Sequence, residues 1–94
     1  MLKTNFSVDF AGSVEEGHIV GILGSGLYLI NFPYTRGNVL GSIERQEASD
    51  IYNEFEPGDW VLNPAGEDLV EDYKSDLAGI KIDFQWEGGL FAVI

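Results

Sequence analysis

Cysteine is absent from this chain, lysine and arginine together number five, and there is a single histidine. Without cysteine there is no disulfide framework, no thiolate zinc site and no cysteine nucleophile. The five cations stand against sixteen carboxylates, a formal net charge of −11. A surface of that sign repels phosphate, which argues against the chain itself gripping DNA, RNA or an anionic membrane. No apolar run follows Met1-Leu2-Lys3, so no signal peptide is expected at the start. Residues 17–35 contain no Asp, Glu, Lys or Arg, but Gly17, Gly21, Gly24, Gly26 and Pro33 interrupt them. A β-hairpin suits that composition better than a membrane span. A soluble, cytoplasmic protein is expected, and the glycosylation sequon at Asn5-Phe6-Ser7 is read as idle.

What the chain does contain is enough to fold. Apolar types make up 45% of its 94 residues, and six Phe, four Tyr and two Trp are among them. Disordered segments are poorer in such residues. A domain of this size buries roughly 60–70% of its unfolded surface, so one core is expected and two are not. The chain is read as a single domain, 1–94, without repeat, linker or low-complexity segment.

The hydrophobic period changes along the sequence. Residues 4–10 alternate, with Phe6, Val8 and Phe10 on one face. An acidic turn is expected over 14–17, through Glu15 and Glu16. Two apolar runs at 18–23 and 27–32, joined by Gly24-Ser25-Gly26, predict a hairpin whose strands are covered on both faces. A further strand is expected over 39–43. Ala48, Ile51, Tyr52 and Phe55 then recur at helical spacing, predicting a helix over 46–55 that Pro57-Gly58 ends. A short strand with Trp60 follows. Asn63-Pro64 is expected to open a second helix over 67–77, with Leu69, Val70, Tyr73 and Leu77 on one side and Gly79 as its cap. Ile80, Ile82, Phe84 and Trp86 alternate with polar residues, and 90–94 closes a final hairpin. The expected fold class is α+β: a β-rich small domain with a strongly bent sheet or small, SH3-like barrel and two short acidic helices. Its expected core is Phe6, Val8, Ile19, Ile22, Leu29, Ile51, Phe55, Trp60, Tyr73, Ile82, Phe84 and Phe91.

The charge is concentrated. Residues 1–43 and 77–94 each carry a net −1, whereas 44–76 carries net −9. Arg45 and Lys74 there face Glu44, Glu47, Asp50, Glu54, Glu56, Asp59, Glu67, Asp68, Glu71, Asp72 and Asp76. On the expected helices these acids lie away from the apolar stripes, with neighbouring carboxylates about 5–6 Å apart, near the spacing of successive phosphates on a nucleic-acid strand. Acidity also aids solubility and accompanies salt adaptation. Like charges at i,i+4, such as Glu67/Glu71, Asp68/Asp72 and Asp72/Asp76, nevertheless destabilise a helix by a few tenths of a kcal/mol. A domain selected for solubility alone could have interspersed lysines.

Motifs for chemistry are few. His18 begins an apolar strand, and no nucleophile-elbow pattern accompanies Ser25 or Ser42, so a structural histidine is expected. Gly24-Ser25-Gly26 lacks the third glycine and the following helix of a dinucleotide fingerprint. No EF-hand or histidine-rich spacing is present, and no cofactor or metal is expected. The eleven acids of 44–76 are therefore read as a partner-binding face. The expected function is non-catalytic: binding a basic surface of a partner protein, in its sharper form as a nucleic-acid mimic that inhibits a nucleic-acid-handling protein, as phage-type inhibitors of host defence or transcription do. The alternative is an adaptor or small subunit that binds through the apolar strands at 18–32, with acidity serving solubility. On that view part of 18–32 is covered by another subunit, a second copy of the chain included.

Overall fold

The computed structural model describes residues 5–24, 26–48, 55–83 and 91–94. Among these, six strands run in chain order: β1 (Asn5–Phe10), β2 (Ser13–Leu23), β3 (Leu27–Phe32), β4 (Gly37–Arg45), β5 (Trp60–Pro64) and β6 (Phe91–Val93). Two short helices, α1 (Glu67–Asp72) and α2 (Lys74–Leu77), lie between β5 and β6. Each strand pairs antiparallel with the next, and β6 returns to β1 through Val8 opposite Val93 and Asp9 opposite Ala92, closing a barrel. The small-barrel expectation holds. No helix among the described residues is long and apolar enough to cross a membrane.

Alternation along the strands divides the apolar residues between two layers. Val8, Phe10, Ile30, Phe32, Val39, Ile43 and Leu62 form one buried cluster, with Phe6, Ile19, Tyr28, Phe91 and Val93 packed against it. Leu27, Leu29, Leu40, Ala65 and Leu77 form a second, joined by Leu23, Val70, Tyr73 and Ile82. Strand β3 feeds both, Ile30 and Phe32 into the first and Leu27 and Leu29 into the second, because successive side chains leave a strand on opposite faces. Its near-continuous apolarity is thus explained by cover on both sides, as the sequence predicts. The inner layer is filled so tightly that Gly17 has no room for a side chain: a Cβ there would lie 2.8 Å from Phe32 Cε1 and 3.2 Å from Phe6 Cε2.

Several expectations need correction. The segment 14–17 is not a turn. It belongs to β2, and the reversal lies two residues earlier, at Ala11 and Gly12, with φ of 55° and 99°. Two consecutive positive φ values are what a tight two-residue hairpin requires, and Asp9 Oδ1 accepts the Gly12 N–H at 2.6 Å. Strand β2 runs to Leu23 with an irregularity in register between Ile19 and Gly21. An extra residue at such a point bends the strand. Val20 is 58% and Ile22 69% exposed; Ile22, opposite Tyr28, stands where β2 nears the end of the barrel, so it is not core. Trp60 is also 46% exposed, because it begins β5 at the end of the barrel, opposite Arg45. Of the other expected core residues, Val8 and Leu29 are buried and Phe6, Ile19, Phe55, Tyr73, Ile82 and Phe91 are half-buried, while Ile51 and Phe84 lie outside the described residues.

The helix expected over 46–55 is not found at either described end of that segment. Residues 46–48 and 55–56 are non-helical, and 49–54 lies outside the described residues. The Gln46 N–H donates to the Asp59 carbonyl, and the Gly58 N–H to the Gln46 carbonyl, so the β4–β5 ladder continues past the strand ends. The second helix is present but interrupted at Tyr73, whose φ and ψ of −107° and 16° divide α1 from α2. Asn63 and Pro64 do not cap it. They complete β5, and Gly66 stands at the N-cap. At the far end Ala78 takes the left-handed cap position at φ 52°, one residue before Gly79. Of the strand expected around Ile82, Ile82 forms an isolated parallel bridge to Asn38, and 84–90 lies outside the described residues.

Candidate functional site

The acid-rich segment begins on the outer face of the barrel. Leu40, Ser42 and Glu44 are two residues apart on β4 and share a face by strand periodicity. Opposite them, Ser42 meets Asn63 and Glu44 meets Val61 across the β4–β5 register. The chain leaves β5 at Ala65, whose N–H donates to the Leu40 carbonyl at 2.8 Å, and this fixes where α1 starts. The Val70 N–H then closes the first turn on the Gly66 carbonyl at 3.1 Å. Glu67 and Asp68 occupy that first turn, where negative charge interacts favourably with the unpaired helix amides. Leu77, 4% exposed, pins the end of α2 to the sheet.

All nine described carboxylate residues of the segment are exposed: Glu44, Glu47, Glu56, Asp59, Glu67, Asp68, Glu71, Asp72 and Asp76. Asp50 and Glu54 lie outside the described residues. Glu44 stands on β4, and the other eight fall into two groups. Glu47, Glu56 and Asp59 sit on the β4–β5 connection, and Asp59 is partly engaged there, since its Oδ2 accepts the Glu56 N–H at 2.9 Å. Glu67, Asp68, Glu71, Asp72 and Asp76 ride on the two helices, where Lys74 Nζ reaches Glu71 Oε1 at 3.6 Å with both side chains about three-quarters exposed. That is an ion pair of the kind that contributes about 0–1 kcal/mol. Of the other described cations, Arg36 is engaged at the far end of β3, where its Nε donates to Glu15 Oε2 at 2.7 Å and its Cζ stands 4.2 Å over the Phe10 ring.

The α1 side chains do not divide into one apolar and one acidic half. At about 100° per residue, Val70 points toward the buried cluster that it joins with Leu77. Leu69 lies to one side, 39% exposed. Glu67 and Glu71 project well away from Leu69, whereas Asp68 and Asp72, at i−1 and i+3, flank it on its solvent side. Between α1 and the sheet runs a groove of about 260 Å³ lined by Gly26, Leu27, Ser42, Asn63, Pro64, Ala65, Leu69 and Tyr73. The sequence contains a partial signal for it: four apolar side chains at 69, 70, 73 and 77 are a wider arc than a helix interrupted at Tyr73 can bury. Ser42 and Asn63, which form the opposite wall, carry no such signal.

His18 Nδ1 lies 2.7 Å from Oδ1 of Asn5, its cross-strand partner, so the imidazole has a structural contact. Ser42 is a wall of the groove, and Ser25 lies outside the described residues. Among the described residues no group of three or more His, Asp or Glu side chains is placed to hold a metal ion. Comparison with protein-family models, with curated proteins and with solved structures finds no match.

Proposed function

We propose that this protein is a non-catalytic interaction protein whose acidic segment, 44–76, binds a basic surface of a partner protein. The observation that carries the reading is the uniform exposure of that segment's nine described acids on a folded barrel. Their charge is turned to solvent with a single described ion pair in the segment, Lys74–Glu71, to offset it. Concentrated like charge raises long-range attraction for an oppositely charged partner and accelerates encounter. Basic protein surfaces most often serve nucleic acid, so the sharper reading is a nucleic-acid mimic occupying such a site. The second reading, an adaptor binding through 18–32, is favoured by the exposure of Val20 and Ile22.

The test is capture of the partner from the native cell on the immobilised protein, washed at low and then at high salt. Binding through carboxylates weakens as the Debye length falls below its value of about 8 Å at physiological ionic strength. Reversing Glu71, Asp72 and Asp76 to lysine together should release the partner while circular dichroism and the melting transition stay native. DNA or RNA should compete if the partner's basic surface is a nucleic-acid site. Capture that ignores salt and survives the triple reversal, but is lost on Ile22→Ser, would replace this reading with the adaptor.

A further inference from the structure

We infer that the groove between α1 and the outer face of the barrel is where the acidic face reads its partner, by accepting one large apolar side chain projecting from a basic segment. The inference rests on the proposed acidic-face function and names the feature that would give it selectivity. Exposed ion pairs are individually weak and poorly discriminating, and interfaces draw most of their affinity from a few side chains seated in desolvated pockets. This groove has the size and lining for one such side chain. At about 260 Å³ it falls below the ~300–1,000 Å³ usual for small-molecule and cofactor sites.

Its lining is amphipathic. Leu27, Pro64, Ala65 and Leu69 offer apolar surface, while Ser42 and Asn63 offer hydrogen-bonding groups to a backbone lying across the opening. Leu69 remains 39% exposed although it sits between the helix and the sheet, so apolar surface is left for a ligand to cover. The identity of the occupant follows from the rim. Asp68 and Asp72 border Leu69 on one side, and Glu44 continues the strand face of Ser42 on the other. Exposed carboxylates on two separate elements therefore neighbour wall residues of a groove that offers apolar surface in Leu27, Pro64, Ala65 and Leu69. An acidic or phosphate-bearing ligand is repelled there, and a neutral apolar one leaves the rim unused. A leucine, methionine or phenylalanine with lysine or arginine beside it satisfies both.

The experiment compares three short synthetic peptides by calorimetry and by backbone amide shifts in 15N-labelled full-length protein: a lysine-rich peptide with one central leucine, the same peptide with alanine there, and a neutral peptide with the leucine. The leucine-bearing basic peptide should bind about tenfold more tightly than its alanine counterpart, the factor expected from burying most of one aliphatic side chain. It should also shift the amides of Ser42, Asn63, Leu69 and Tyr73. Ser42→Phe, which fills the groove from an outward position on β4, should erase the leucine preference and leave salt-sensitive binding of both basic peptides. Equal, salt-sensitive binding of leucine and alanine peptides by the native protein would overturn the groove and leave the acidic face standing. Equal binding of the neutral and basic leucine peptides would overturn the charged rim. Failure of every basic peptide to bind the folded protein would overturn the acidic-face function itself, and the groove with it.

Discussion

Replacing Gly17 with alanine adds one methyl group, and the structure says where that group goes. The new Cβ would stand 2.8 Å from Phe32 Cε1, 3.1 Å from its Cζ and 3.2 Å from Phe6 Cε2, inside the distances that carbon atoms tolerate. Phe32 has little room to withdraw. It is fully buried and packs edge-on against Phe10 at 5.4 Å between centroids, and Phe10 in turn lies 4.5 Å from Phe91. Relieving the clash therefore means displacing a chain of rings or bending β2, and overpacking of this kind costs about 1–3 kcal/mol. Removing a glycine from a strand returns about 0.5–1 kcal/mol through the unfolded state, so a net loss of up to about 2.5 kcal/mol is expected. For a domain of this length that corresponds to a melting temperature lower by up to about 20 °C. Gly21→Ala, in the same strand, provides the control. There the nearest atoms are Leu29 Cβ at 3.6 Å and Cδ2 at 3.8 Å, ordinary contacts, so the substitution should be neutral or stabilise by up to about 1 kcal/mol. Urea titration of both variants measures the two free energies on one scale. Adding Phe32→Leu to Gly17→Ala should recover part of the loss, as a non-additivity of about 0.5 kcal/mol or more. If Gly17→Ala were as stable as Gly21→Ala, the packing of Phe6 and Phe32 against β2 would not be as described.

Three further outcomes are expected. Ala11→Asn should stabilise the β1–β2 hairpin by about 0.5–1 kcal/mol in thermal unfolding, because asparagine tolerates the left-handed conformation that alanine holds there at φ 55°. Arg36→Met should cost about 1–3 kcal/mol in urea titration, since Glu15, with a side chain only 9% exposed, would lose its partner; Glu15→Gln together with Arg36→Met should cost less than the two separately. Ile22→Ser should change the melting temperature little in dilute solution, because Ile22 is 69% exposed, and a marked loss that depends on protein concentration in sedimentation would show that a second copy covers it.

The strands at 4–10, 27–32 and 90–94 were legible because alternation and glycine turns are local signals. Closure itself is expected only as one of two forms, a bent sheet or a small barrel, since it depends on Val8 meeting Val93, and nothing in either neighbourhood encodes that meeting. Misplacing the first turn has a chemical cause. Glu15 and Glu16 look like turn residues by polarity, whereas the reversal uses Ala11-Gly12, a pair without the asparagine or aspartate that usually marks a two-residue hairpin. Hydrophobicity predicts Trp60 and Ile22 in the core, but each stands where its strand reaches an end of the barrel, and position along a strand is invisible before the register is known. The acidic bias of 44–76 could be counted directly from the letters. That Leu69 faces Ser42 and Asn63 across one groove could not, because it depends on where α1 starts, which the Ala65 hydrogen bond to Leu40 fixes.

The way the barrel closes also sets an order of events in time. Three of its pairings, β1–β2, β2–β3 and β3–β4, join strands through short turns, and contacts of that sort form within microseconds once a turn is in place. The seam between β1 and β6 unites residues near opposite ends of the chain through two register pairs and the Ile94 N–H donating to the Ser7 carbonyl. Ring closure therefore carries the largest loop entropy and comes late in folding. Until it shuts, Val8 and Val93 border two unpaired strand edges, and the protein is transiently a template for other strands. With sixteen carboxylates on the chain, two such open molecules repel one another, so the acidity also shields the nascent sheet.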